Sequence, residues 1–279
     1  MNNIPCVCIM IPTYNQAAYI QRAIESALAQ DYPNLEILVA DDHSDDSIDE
    51  LLAPYILNPK IKYTKNDQNI GRVANYRRAL DAATNAEWVI NLDGDDYYTN
   101  PHFISTAMAA IHTADEKNIL FYQGMHTCLH DGREDFLPTN LIEDELGLSA
   151  ADYFLGYFTR LHFSHMSTLY NRKMAIQSDF YRKDILSADI FSFLQLCLNN
   201  GDKKVILSKS ISGVWVKHKN NSSQTIRLNQ HLKNMGAYKT LYRLAIKVGF
   251  DEQRCTKWLR KARYIYLRTF AGTITKKLK

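Results

Sequence analysis

The chain has 279 residues, 46% hydrophobic and 23% charged, with a formal net charge of +3; this is ordinary for a soluble globular protein with a sizeable core. No apolar run reaches the roughly 18–20 residues that span a bilayer, and Met1–Pro5 lacks the basic-then-apolar layout of a signal peptide, so the expected location is cytoplasmic. The five cysteines, Cys6, Cys8, Cys128, Cys197 and Cys255, have neither zinc nor C-x-x-C redox spacing and read mostly as reduced, buried thiols.

In chain order, Val7–Ile11 is a short apolar run ended by Pro12, and Leu35–Ala40 is another, ended by Asp41 and Asp42. Both read as buried strands. Between them, Ile20, Ala23, Ile24, Ala27 and Leu28 recur at spacings of three and four, which predicts an amphipathic helix within Ala17–Gln30. Asp49–Ile56 reads as helix, Lys60–Lys65 as strand, Val73–Ala83 as helix and Glu87–Leu92 as strand. Strands and helices alternating in this way predict an α/β fold with a largely parallel sheet and helices on both faces. Ligands of such sheets bind beyond the carboxyl ends of the strands. The turns at Pro12-Thr13-Tyr14-Asn15, Asp41-Asp42-His43-Ser44, Asn69-Ile70-Gly71-Arg72 and Asp93-Gly94-Asp95-Asp96 should therefore open on one edge. Neither G-x-G-x-x-G nor G-x-x-x-x-G-K-[ST] occurs, which argues against a dinucleotide oxidoreductase and a P-loop NTPase.

The fourth of those turns carries the strongest chemical signal. An apolar run ends abruptly in Asp93, Asp95 and Asp96 around Gly94. Carboxylates this close repel one another, and desolvation adds to the cost, unless a cation or backbone N–H groups are supplied. Mg²⁺ is characteristically held by one or two carboxylates together with substrate phosphates. Taken alone, an Asp-Gly turn of this kind at a strand end is more often a structural turn than a metal site; its company raises this one.

Further along, Met125–Leu148 is polar and without strong periodicity, and reads as a loop near an acceptor. From Ile226 to Lys279 there are 14 Lys and Arg against 2 acidic residues, whereas residues 1–225 carry 19 against 28. Apolar residues spaced by three and four from Leu228 to Val248, and again from Cys255 to Phe270, predict two amphipathic helices in this basic segment. Their apolar faces would pack on the preceding part of the chain, and their charges suit an anionic membrane surface. Nucleic acid is not an expected partner, because the segment contains no recognised nucleic-acid motif.

The order IPTYNQ, LVADDHSDD, NIGRVANYRRAL and VINLDGDD closely resembles the inverting glycosyltransferases of family 2, strongly over the first hundred residues and more weakly to Ser223. The resemblance implies a GT-A fold over residues 1–225, followed by a basic helical extension over 226–279. It assigns the nucleoside of a sugar nucleotide, usually UDP, to Pro12, Thr13, Tyr14 and Asp42, with Asp41 adjacent, and places Arg72, Asp93 and Gly94 in the same nucleotide-sugar site. It implies Mn²⁺ or Mg²⁺ on Asp95 and Asp93, with Asp96 as a further contact and His218 as a ligand or phosphate donor. The general base falls on Asp189, although Ala188 replaces the acid that usually precedes it. His162, His165 and Ser167 fall on the acceptor side. The Gln-x-x-Arg-Trp motif of polymerising members does not occur, so the expected reaction adds one sugar, or a few, to a carbohydrate or lipid-linked acceptor in surface polysaccharide or lipopolysaccharide synthesis. The alternatives are a non-catalytic module that binds a sugar nucleotide or glycan and a nucleotidyltransferase that makes sugar nucleotides.

Overall fold

The computed structural model describes residues 4–130, 133–136, 144–159, 161, 163, 165–218 and 228–277. Its first half is the expected alternation: β1 (Val7–Thr13), α1 (Ile20–Leu28), β2 (Leu35–Asp41), α2 (Ile48–Leu52), β3 (Ile61–Lys65), α3 (Arg72–Ala82) and β4 (Trp88–Asn91). β1 pairs in parallel with both β2 and β4, and β2 with β3. Pro12 lies within β1 instead of ending it, and α2 stops four residues before Ile56.

Successive side chains of a strand face opposite sides of the sheet, and here that alternation divides the core in two. Val7, Ile9 and Ile11 join Ile37, Val39, Trp88 and Ile90 against α1 on one face. Cys8, Met10, Leu38, Ala40 and Val89 face α3 on the other. This explains why these strands are apolar throughout and show no alternating pattern.

The second half is mixed. It runs through β5 (Tyr97–Tyr98), α4 (Phe103–Thr113), β6 (Ile119–His130), β7 (Arg133–Phe136), β8 (Glu145–Ser149), α5 (Ala150–Gly156), β9 (Thr168–Asn171), α6 (Arg172–Gln177), α7 (Ala188–Asn199) and β10 (Lys204–Lys217). The sheet order is β3-β2-β1-β4-β9-β6-β10-β5, with β7 on β6 and β8 on β10. β9 is antiparallel to β4 and β6, while β10 is parallel to β6. The expected loop over Met125–Leu148 is thus corrected: its described residues include the end of β6 and all but the last residue of β8, with β7 between. β8 pairs with β10, which begins more than fifty residues later, and β6 pairs with β10, with β9 and, at its end, with the nearby β7, so most of this pairing leaves no mark on local periodicity.

The basic segment forms α8 (Leu228–Lys247) and α9 (Glu252–Lys277). His231 meets Tyr266 and Tyr242 meets Thr256, so the two helices run antiparallel. Ala237, Tyr238, Leu241, Ala245, Cys255, Trp258 and Ala262 join the core that also holds α3, α5 and α7. Trp258 stacks on Phe154 of α5 with ring centroids 4.5 Å apart. The buried stripe of α8 is rotated from the expected one: His231 and Asn234 are inside, whereas Leu232 is 59% exposed. No described helix is long and apolar enough to cross a membrane.

Candidate active site

A cavity of about 720 Å³ opens at the carboxyl edge of β1, β2 and β4. The turns after these strands are tied to one another. The backbone N–H of Asp42 donates to Thr13 O (2.9 Å), that of Asn15 donates to Ser44 Oγ (2.9 Å), and that of Ala17 donates to Asp46 Oδ2 (2.8 Å). Pro12, Thr13, Tyr14 and Asp42 all line the cavity, with Tyr14 at its rim and 47% exposed.

Asp42 is buried and accepts from Asn66 Nδ2 (2.8 Å), Ile70 N (2.8 Å) and Gly71 N (2.9 Å). One carboxylate thereby organises the turn into α3, where Gly71 takes a φ of +90° that favours glycine. Asp41 does not line the cavity. Strand alternation turns it away, and it receives Ser44 N and Oγ and Tyr63 Oη (3.2 Å), with Lys65 Nζ 3.6 Å off. The expectation that Asp41 contacts nucleotide is corrected to a supporting position beneath the 41–44 turn. Gly94 is not in the lining either. A Cβ there would stand 2.5 Å from Gln16 Oε1 and 3.0 Å from Thr13 Oγ1, so its glycine allows the acidic turn to close against the turn after β1.

Asp93, Asp95 and Asp96 present oxygens all within 4.8 Å of one another. Asp93 accepts from Tyr76 Oη (2.6 Å), Asp95 from His218 Nε2 (2.8 Å) and Asp96 from Val216 N (2.8 Å). Burial, followed by repulsion from Asp93, raises the Asp95 carboxyl above its ordinary range. Burial, then Asp95 and Asp93, raises Asp96 further. A hard divalent cation fits this donor set, since it would offset both the mutual repulsion and the desolvation of the charged carboxylates. His218 also stacks on Tyr19, with centroids 4.9 Å apart and planes 8° apart, which fixes its ring over the cluster.

Arg72, His165 and Asp189 also line the cavity. Arg72 donates to Leu186 O (2.7 Å); burial opposes its charge, but Tyr76, Asp189 and Asp93 outweigh that and raise its pKa. His165 is hydrogen-bonded to Tyr181 Oη, and burial lowers its pKa despite Asp93 and Asp189 nearby. Asp189 stands in the first turn of α7, half-buried, and makes no hydrogen bond among the described residues. Ser167 is fully buried and bonded to Met125 O and Ser212, so it is not in the cleft. His162 lies outside the described residues.

Tyr19, Tyr76, His126 and Trp215 line the cavity without having been expected there. Tyr76 had a legible signal, lying one helical turn after Arg72 on the same face. His126 and Trp215 meet edge to face across the β6–β10 pair, a parallel pairing no local pattern shows.

The mixed sheet, the cavity at the carboxyl edge of its parallel strands and the acidic turn are those of a GT-A α/β protein. Staphylococcus aureus TarS 1-349, solved in complex with UDP-GlcNAc, shares this fold with a TM-score of 0.74 at 18% identity, over 91% of this chain and 70% of that one. The mannosyltransferase PcManGT from Pyrobaculum calidifontis, solved with GDP-Man and Mn²⁺, shares it with a TM-score of 0.64 at 15% identity, over 99% and 75%. The sequence profile of glycosyl transferase family 2 matches residues 8–177, and the chain belongs to that family. Among relatives, the putative colanic acid biosynthesis glycosyl transferase WcaA of Escherichia coli K12 is 37% identical over 112 residues, which are 39% of each chain. The chain thus covers less than half the length of that relative.

Proposed function

We propose that this protein transfers a single sugar from a UDP-sugar to a hydroxyl of a carbohydrate or lipid-linked acceptor, with inversion at the anomeric carbon, in the synthesis of a surface polysaccharide. The observation that carries the reading is one cavity lined both by a largely buried three-carboxylate cluster and by the carboxylate of Asp189, which makes no hydrogen bond among the described residues. The sugar nucleotide in the TarS structure and the Mn²⁺ in the PcManGT structure support the donor and the metal, and the colanic acid role given to WcaA supports the pathway class.

Pro12, Thr13, Tyr14 and Asp42 receive the nucleoside: the Tyr14 ring is exposed for contact with a base, and Asp42, whose Oδ1 takes two hydrogen bonds and whose Oδ2 takes one, keeps one acceptor site on Oδ2 for a ring N–H. Asp95 and Asp93, with Asp96 and His218 beside them, hold Mn²⁺ or Mg²⁺, which offsets the charge of a departing diphosphate. Arg72 adds positive charge between Asp93 and Asp189. Asp189 takes the proton of the acceptor hydroxyl as it attacks in line. His165, which also lines the cavity, faces the acceptor side. The exposed basic face of α8 and α9 meets an anionic membrane surface.

The test is UDP release from a panel of UDP-sugars with Mn²⁺, with and without EDTA, in the presence of crude glycan or lipid acceptors. Metal-dependent release with one donor is the expected result, and Asp95→Asn and Asp189→Asn should each reduce turnover by about a hundredfold or more. Pyrophosphate release would instead identify a nucleotidyltransferase, and UDP binding without turnover would identify a binding module.

A further inference from the structure

The start of α7 is held in an unusual way. Ser187 occupies the position before the helix, where a serine hydroxyl ordinarily caps the first free N–H groups, yet its side chain makes no such bond. Its Oγ lies instead 3.1 Å from Tyr266 Oη on α9 and 3.4 Å from Tyr238 Oη on α8. The two phenols are hydrogen-bonded to each other (3.3 Å), and Asn234 Nδ2 donates to Tyr266 Oη (3.3 Å). On the other side, Arg72 grips the preceding carbonyl, Leu186 O, at 2.7 Å. Leu186, Ser187 and Asp189 all line the cavity, whereas Ala188 is fully buried in the core and offers no polar group to orient its neighbour.

We propose that Tyr238 and Tyr266 are positioning residues that hold Ser187 away from the helix it would cap, and so set the direction in which Asp189 enters the cavity. This rests on the reading of Asp189 as the general base. Two hydroxyls from two different helices converge on one serine, and packing alone does not require that, since phenylalanine rings would fill the same space. Released from the phenols, Ser187 has an alternative partner in the free N–H groups of α7, and turning to it shifts the first turn that carries Asp189. The family profile ends at residue 177, so the C-terminal helices, well outside it, become part of the machinery that aims the base.

The experiment measures kcat and donor KM by UDP release from the UDP-sugar panel with Mn²⁺, on the full chain. Tyr266→Phe should lower kcat about fivefold, and Tyr238→Phe with Tyr266→Phe about tenfold, as first one and then both of the hydrogen bonds to Ser187 are lost. Donor KM should stay close to that of the wild type while the melting temperature falls by a few degrees, because buried Asn234 loses its acceptor; a merely structural role would not lower kcat at unchanged donor KM. In a Ser187→Ala background, where no hydroxyl remains to turn towards the helix, Tyr266→Phe should cause no further loss of kcat. The single tyrosine variants carry the test if the double one does not fold. Unchanged kcat in the tyrosine variants, alongside an inactive Asp189→Asn, overturns this inference and leaves glycosyl transfer standing. Full turnover by Asp189→Asn, or none by the wild type, overturns the functional reading and the inference with it.

Discussion

Gly94 shows how one missing side chain supports a charged site. Between Asp93 and Asp95, which line the cavity, the chain packs so close to Gln16 and Thr13 that a Cβ would displace the Gln16 amide and crowd the Thr13 hydroxyl. Gly94→Ala should therefore cost about 1–3 kcal/mol of stability and should weaken Mn²⁺ and UDP binding more than a surface substitution of equal cost, measured by chemical unfolding and by calorimetric titration. The cysteines offer a second test at this scale. Cys8 is fully buried and its thiol is pushed well up by desolvation and then by Glu36; Cys6 is half-buried and shifted the same way by the same two causes. A raised thiol pKa leaves little thiolate near pH 8.5, so labelling is suppressed there and increases as pH rises or as the chain unfolds. Native protein titrated with a thiol reagent at that pH should label slowly at Cys6 and not at Cys8, Cys128, Cys197 or Cys255, and all five should react in denaturant.

Among the elements, α3 and α7 are the two whose first turns reach the cavity, and each is aimed by contacts from elsewhere in the chain. Asp42 accepts from the backbone just before α3, and the tyrosines of α8 and α9 meet the residue before α7. The division at residue 225 is a proposal about sequence organisation, and the packing bears on how separable the two parts are. Trp258, Leu241 and Tyr238 share a core with Phe154 and Leu194, so removing residues 226–279 uncovers apolar surface on α5 and α7. The truncated chain should aggregate or lose its cooperative unfolding transition, while Trp258→Ala in the full chain should cost about 3–5 kcal/mol, both readable by circular dichroism in urea.

Over the whole molecule, charge is unevenly distributed. The 54 residues of the C-terminal segment carry 14 basic and 2 acidic side chains, and Lys239, Arg243, Lys247, Arg260, Lys261 and Arg263 are all exposed. Leu232, Tyr264 and Leu267 are also exposed, at 59%, 60% and 55%, near the end of the helical pair that abuts Ser187. Each basic residue near an anionic surface contributes about 1 kcal/mol, an attraction weakened by salt. Co-sedimentation with phosphatidylglycerol vesicles should be strong at low ionic strength, fall at 0.5 M salt (about twice the screening of physiological salt) and be absent with phosphatidylcholine alone. Equal binding to both lipids would remove the electrostatic component.

Much of this was legible before any coordinates. The apolar strands β1, β2 and β4, the helical spacing of α1 and α3 and the polar turns after the strands are local signals, and the βαβ rule alone brings those turns to one edge. The acidic turn was legible for the same reason, being three carboxylates within four consecutive residues. Other features depend on pairings between distant segments. Asp41 and Asp42 are adjacent and alike in chemistry, yet alternation along β2 sends the first beneath the sheet edge and the second into the cavity. β8 pairs with the distant β10 and β6 with both β10 and β9, His126 and Trp215 meet through the β6–β10 pairing, and Leu232 is exposed because the contact between α8 and α9 chooses His231 and Asn234 as the inner face. Local pattern specifies which elements can form, because spacing and burial are properties of neighbours in the chain; which face of each is buried, and which residues share a cavity, is a property of neighbours in space.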